Sequence, residues 1–178
     1  RVDRRQRQMC IRDSIREVKD FPKEGISFKD ITPILSNPEL SNKVIDSFIE
    51  FLNDKEIDAI VGVESRGFLF GMLLANALKV PFIPIRKAGK LPADTIVEEY
   101  ALEYGSAKVE IHTDAIQDGW NIVVHDDLLA TGGTAVAASK LVQRLGGNII
   151  SFLFLVELSF LEGRTNLLDY SLSIKSLI

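Results

Sequence analysis

Val123 to Ala135 reads V-V-H-D-D-L-L-A-T-G-G-T-A, and the order of residue types in it decides how the rest of the chain is read. The apolar run Ile122 to Val124 predicts a strand. It ends in two adjacent carboxylates, Asp126 and Asp127. Leu128 to Thr131 form a short loop, followed by Gly132, Gly133 and Thr134. Beyond Thr134, Ala135, Ala138, Leu141, Val142 and Leu145 fall on one helical face. The order is strand, acid pair, glycine turn, helix. A helix N-terminus offers unpaired N–H groups and the positive end of a dipole. Glycines let the main chain approach a ligand, and successive amides can form an anion nest. Thr131 and Thr134 add hydroxyls. Such a turn suits a phosphate, while two carboxylates at a strand end suit a diol or a divalent cation. Together they describe a sugar phosphate.

Composition narrows the rest. The chain has 178 residues, with 46% hydrophobic and 26% charged. That is ordinary for one globular domain with a real core. A net charge of −4 argues against a general nucleic-acid surface. The single cysteine, Cys10, excludes a disulfide framework within the chain and fits a reducing, cytoplasmic setting. The longest apolar run, Ile149 to Val156, has the length of a strand and not of a membrane span. No secretory signal is read. Residues 1–14 carry five arginines against two aspartates without clear periodicity. They are set aside as an extraneous or disordered tail, leaving residues 15–178 as a single domain.

Ile15, Val18 and Phe21 predict a short helix ending before Pro22. Phe21 to Pro33, F-P-K-E-G-I-S-F-K-D-I-T-P, reads as a loop because of its prolines and glycine. Leu40 to Leu52 has helical spacing and no evident chemistry. Ala59 to Val63 predicts a strand, then Glu64-Ser65-Arg66-Gly67, then a helix from Phe68 that is apolar nearly all round and is expected to be buried. No lysine follows Gly67, so this is not a Walker A loop. Val80 to Ile85 predicts a strand whose prolines, Pro81 and Pro84, suggest an edge or an irregular element. Arg86, Lys87 and Lys90 place three cations within five residues. Thr95 to Ile111 predicts a long hairpin-like excursion, of the kind that can close over a site. His112 reads as a surface histidine. His125 fills a strand position before the acid pair, where nearby carboxylates would raise its pKa. Asn148 to Val156 predicts a central strand, and Tyr170 to Ile178 a short final one.

Val123 to Thr134 resembles the phosphoribosyl-pyrophosphate signature of the type I phosphoribosyltransferases, in the form, D-D-L-L-A-T-G-G-T, that is similar to the adenine-specific branch of that family. The alternation of strands and helices independently calls for an α/β fold with a mostly parallel sheet and right-handed crossovers. The resemblance implies the type I phosphoribosyltransferase fold: a central, mostly parallel twisted sheet flanked by helices. It adds a small N-terminal hood (about 15–35) and a flexible catalytic flap (about 92–111). It implies that Asp126, Asp127, Leu128, Leu129, Ala130, Thr131, Gly132, Gly133 and Thr134 hold the ribose 5-phosphate. E-S-R-G-F-L-F-G and R-K-A-G-K-L-P resemble the family's diphosphate loops, so Ser65, Arg66, Arg86, Lys87 and Lys90 are expected on diphosphate, with a non-proline cis peptide near Glu64–Ser65. F-P-x-x-G-x-x-F-x-D-I-T-P is similar to the hood, which implies that Ser27, Phe28 and Lys29 line adenine. Y-x-L-E-Y-G spans Tyr100 to Gly105. Glu103 is then the acid/base at the purine, with Tyr104 beside it in the closed flap, and Arg66 shares in catalysis.

The implied reaction is purine salvage: adenine and 5-phospho-α-D-ribose 1-diphosphate give AMP and diphosphate. Mg²⁺ enters with the substrate, with Asp126 and Asp127 as possible ligands, and the enzyme is expected to be a homodimer. The rivals are transfer to xanthine, hypoxanthine or guanine, and a non-catalytic nucleotide-sensing regulator on the same fold. The C-terminal segment S-L-S-I-K-S-L-I departs from the family pattern, which leaves the last strand's register open.

Overall fold

Strand β3 (Ala59–Val63) is buried along its whole length, which places it at the centre of the molecule as a continuous apolar run should be. The computed structural model describes residues 11–102 and 105–178. Around β3 lies a seven-stranded sheet in the order β5-β6-β4-β3-β7-β8-β9. Its strands are β4 (Phe82–Lys87), β5 (Thr95–Ala101), β6 (Ser106–His112), β7 (Asn121–Leu129), β8 (Asn148–Glu157) and β9 (Ile174–Ser176). Neighbours from β4 to β9 run parallel, and β5 and β6 pair antiparallel. This is the expected α/β architecture.

Helices cover both faces, because successive strand residues point to opposite sides. Val124, Phe152 and Phe154 pack on one face with Ala135, Ala138, Leu141 and Val142 of helix α4 (Gly133–Arg144). Ile60, Val123, Leu153 and Leu155 pack on the other with Phe48 and Leu52 of α2 (Pro38–Leu52) and Phe70 and Leu74 of α3 (Gly67–Leu78). Helix α2 starts two residues before the expected Leu40. Asn37 caps it by accepting from the Glu39 and Leu40 amides, at 3.0 and 3.2 Å, and Pro38 occupies the first turn, where its missing N–H costs nothing.

Several expectations change. Residues 16–30 form a hairpin of β1 (Arg16–Lys19) and β2 (Ser27–Asp30), not a helix and a loop, with Val18 opposite Phe28. A short helix α1 (Thr32–Leu35) follows. Three apolar residues were too few to stabilise a helix, and the hairpin satisfies the main chain across strands instead. Strand β4 is interior, not an edge. Strand β6 joins it only at Arg86 and Lys87, so that side of Pro84 has no ladder partner to miss. Helix α3 is not buried all round: Leu69, Met72 and Leu73 are 43%, 53% and 48% exposed, because the sheet covers one side only. His112 is half-buried, and its Nε2 is enclosed without a hydrogen-bond partner among the described residues.

Ile11 falls in the segment set aside above, yet its side chain is fully buried in the core beneath α2. The packed part of the chain therefore includes residue 11. The hairpin over 95–112 is present, with Thr95 opposite His112 and Ala101 opposite Ser106. Strand β9 settles the C-terminal register by pairing Ile174 with Phe152. Among the described residues, no helix is long and apolar enough to cross a membrane.

Candidate functional site

The carboxyl ends of β3, β4 and β7 open on one side of the sheet, where ligands of open α/β sheets bind. A cleft of about 400 Å³ lies there, walled by Glu64, Ser65, Arg66, Lys87, Tyr100 and the continuous segment 126–135.

The segment after β7 has the local order its residues dictate. Gly132 takes a φ of 85° at the N-cap of α4, with no side-chain cap. An L side chain rarely adopts that angle. The leading N–H groups of α4 thus begin at the cleft wall, and the helix dipole favours an anion there. Leu128 and Leu129, expected in the loop, are instead the last residues of β7, because their main chain continues the ladder with Val156 and Glu157; with Ala130 to Thr134 they line the cleft.

Asp126 and Asp127 stand at its floor. Asp126 Oδ1 accepts the Asp127 N–H at 2.8 Å. Arg66 Nε lies 2.8 Å from Asp127 Oδ2. Loss of hydration, and then the neighbouring Asp127 charge, push the Asp126 carboxyl well above its usual range. Burial also raises Asp127, with Arg66 pulling the other way. Burial disfavours the ionised form of both acids, and hydrogen bonds donated by a diol, or a cation, would restore it. Among the described residues, no group of three or more His, Cys, Asp or Glu side chains comes together to hold a metal ion. A cation here would draw much of its coordination from its ligand, as Mg²⁺ commonly does.

The Glu64–Ser65 peptide is cis, as the resemblance implied. Glu64, absent from the sequence-derived site, binds Arg86 Nη2 at 3.2 Å and the Lys87 N–H at 2.8 Å. Arg86 also donates to the Lys90 carbonyl at 3.2 Å. Of the three expected diphosphate cations on this loop, Lys87 reaches the cleft wall, while Arg86 is occupied by Glu64 and neither Arg86 nor Lys90 lines the cleft. The Lys90 and Leu91 amides donate to buried Glu110, each at 2.8 Å.

The hood touches the site through Arg66, whose guanidinium stands 5.3 Å over the Phe28 ring. Phe21 meets Phe28 edge-on at 5.2 Å. The Ser27 hydroxyl bonds Glu17, and Lys29 Nζ lies 3.3 Å from the same carboxylate. Their side chains are therefore engaged within the hairpin, which leaves main-chain atoms to meet a base. Glu103 and Tyr104 lie outside the described residues. Tyr100, which no motif singles out as a site residue, also belongs to the site. It lines the cleft, and its hydroxyl accepts from Thr134 Oγ1 at 3.3 Å. Alternation along β5 could have pointed it at the site.

His125 stands apart from the acids beside it. Its ring is fully buried against Phe48, centroids 5.5 Å apart, and Nδ1 lies 3.0 Å from the Leu153 carbonyl. Burial lowers its pKa to about 4; the rise that facing carboxylates would bring does not occur, because the ring is held in apolar packing.

The model of the phosphoribosyl transferase domain matches residues 30–169. The chain is 50% identical to adenine phosphoribosyltransferase of Cytophaga hutchinsonii over 171 residues, covering 96% of this chain and 94% of that one. The crystal structure of adenine phosphoribosyltransferase from Thermoanaerobacter pseudethanolicus superposes with a TM-score of 0.92 at 51% identity, covering 96% of this chain and 98% of that one. The Saccharomyces cerevisiae enzyme, complexed with an imino-altritol bisphosphate and adenine, matches with a TM-score of 0.92 at 43% identity, covering 98% and 99%.

Proposed function

Because this chain belongs to the phosphoribosyltransferase family, within the adenine-specific branch, we infer that it joins adenine to 5-phospho-α-D-ribose 1-diphosphate, giving AMP and diphosphate. The observation that carries this reading is the convergence of the acid pair, Arg66 and the glycine turn on one cleft.

The bond to the leaving diphosphate breaks early and leaves oxocarbenium-like charge on the sugar, as in glycoside hydrolysis. We assign the 5-phosphate to the turn 128–134, where amides and the Thr131 and Thr134 hydroxyls hold it. Asp126 and Asp127 take the ribose hydroxyls and fix the ring in line. Arg66, Ser65 and Lys87 face the departing diphosphate. Arg86 and Lys90 serve it through the loop's shape, since neither lines the cleft. Phe28 stacks on adenine and main-chain atoms of Ser27 to Lys29 read its edge. Glu103 is assigned the purine proton, with Tyr104 beside it, on the sequence resemblance alone. Mg²⁺ bound with the substrate would neutralise diphosphate charge, and Asp126 and Asp127 are the side chains that would help hold it.

A homodimer is proposed from the uncovered stripe Leu69, Met72 and Leu73 on α3, which a second copy would bury. Light scattering reads that state directly. A cytoplasmic setting suits a chain with one thiol. The decisive experiment is diphosphate release with adenine, compared with hypoxanthine, guanine and xanthine. Release with adenine alone is expected. Faster release with a 6-oxopurine would reassign the base, and substrate binding without release with any base would favour a regulator.

A further inference from the structure

The segment after β8, the short turn Gly163–Leu167, lies directly behind the phosphate turn. Asn166 Nδ2 donates to the Thr131 carbonyl at 2.8 Å. Gly163 packs against the same loop so closely that a Cβ there would sit 2.1 Å from the Ala130 carbonyl oxygen and 2.9 Å from both the Gly132 nitrogen and the Thr131 carbonyl carbon. The contact is reciprocal: a Cβ on Gly132 would meet the Gly163 oxygen at 2.7 Å. All these atoms are main chain, so no flexible side chain can yield.

We propose that Gly163 and Asn166 are positioning residues that brace the phosphate-holding turn from behind. A turn with two adjacent glycines has many conformations open to it. An anion site needs its donors fixed before the ligand arrives. Each peptide unit is planar, so holding the Thr131 oxygen also sets the direction of the Gly132 N–H on the other side of that unit. Gly163 backs the preceding unit through the Ala130 oxygen. Two consecutive peptide planes of the turn are thereby fixed.

The brace is itself anchored. Arg164 Nε binds Glu157 at the end of β8 at 3.1 Å, and its Nη1 donates to the Ile174 carbonyl of β9 at 3.0 Å. Ser176 Oγ reaches the same Glu157 at 2.6 Å. Leu167, in the same short turn, is fully buried in the core. The turn is therefore tied to the sheet rather than to a free loop.

This inference rests on the reading that the turn 128–134 holds the sugar's 5-phosphate. Asn166 is exposed, so Asn166→Ala leaves the core intact. Losing one hydrogen bond of about 1 kcal/mol should raise the KM for phosphoribosyl pyrophosphate roughly three- to tenfold, with kcat, the KM for adenine and the melting temperature little changed. Gly163→Ala should raise the same KM further. If Gly163→Ala fails to fold, Asn166→Ala and Asn166→Asp carry the test. Ribose 5-phosphate binding by calorimetry should weaken in parallel, and it reads the turn without any base or turnover. Equal KM shifts for both substrates, or unchanged ribose 5-phosphate affinity in Asn166→Ala, would overturn the proposal. A wild-type protein that binds ribose 5-phosphate but releases no diphosphate with adenine would instead overturn the adenine-transfer reading and leave the brace standing.

Discussion

Arg66 and Asp127 are joined by a 2.8 Å ion pair whose carboxylate side is 8% exposed and whose guanidinium side is 39% exposed. The pair links the loop after β3 to the end of β7, and the same guanidinium reaches over Phe28 of the hood. One contact thus aligns elements assigned to diphosphate, ribose and base.

Replacing that carboxylate should separate catalysis from folding. Asp127→Asn keeps the shape but removes the charge that holds Arg66 in place. Misplacing a catalytic group by about 1 Å can cost roughly 100-fold in rate, and a loss of at least that size in kcat/KM is expected. Burial already opposes the Asp127 charge, so the circular dichroism spectrum and melting temperature should hold. Steady-state kinetics beside a thermal melt check both halves, and unchanged activity would remove Asp127 from the site.

Asp126 predicts a gain in stability. Burial and the neighbouring Asp127 raise its folded pKa above the ordinary 3.8. The folded state therefore holds its proton longer than the unfolded chain does. Stability falls as pH rises from that ordinary value through the raised one, and the penalty persists above it. Asp126→Asn escapes the penalty while keeping an oxygen for the Asp127 amide. The variant should melt higher than wild type at neutral pH, and the two should converge below about pH 4. Its activity should fall sharply. A variant that melts lower at neutral pH would contradict the account.

His125 works in the other direction. Its folded pKa is depressed from 6.5 to about 4 by burial. It contributes full stability above the unfolded value, and that contribution is lost as pH falls from about 6.5 toward 4. The shift corresponds to roughly 3 kcal/mol over that window. His125→Leu, similar in volume, should flatten the decline in stability between about pH 6.5 and 4. Denaturant midpoints across that range measure it, and an equally steep decline in the variant would assign the acid sensitivity elsewhere.

What was legible in the sequence is what has a local signature. Ala59 to Val63, Leu40 to Leu52 and the strand–turn–helix around Asp126 each announce themselves by an apolar run or a helical period. The features that stayed hidden are pairings between distant positions. Val18 and Phe28 face each other across a hairpin whose main-chain bonds leave no period in either strand. Pro84 reads as an edge marker because one side of it is unpaired, while the pairing of β6 with β4 farther on, at Arg86 and Lys87, has no local signature. Arg86 reads as a diphosphate ligand from its motif, which carries no sign that Glu64, 22 residues earlier, engages its guanidinium. Tyr100, Glu110, Gly163 and Asn166 matter through contacts with segments far along the chain, which a motif cannot spell out.

Glu110 gives the last prediction, since it anchors the loop that presents Lys87. It is 4% exposed and accepts the Lys90 and Leu91 amides at 2.8 Å each, with Thr95 Oγ1 at 3.3 Å. Burial alone would raise its pKa, but these bonds, led by the Leu91 amide, hold it below the usual 4.5. Glu110→Leu fills the space and leaves two main-chain amides unpaired. At about 1–3 kcal/mol for an unsatisfied buried group, the variant should lose roughly 2 kcal/mol or more of stability. Glu110→Gln retains an oxygen that can accept both amides, so it should lose less. Released from this anchor, the loop places Lys87 less accurately, and the KM for phosphoribosyl pyrophosphate should rise in the order wild type, Gln, Leu while the KM for adenine stays level. Urea unfolding and the two KM values together decide it. A leucine variant as stable as wild type, or one that weakens adenine and phosphoribosyl pyrophosphate equally, would show that the buried carboxylate does not set the loop.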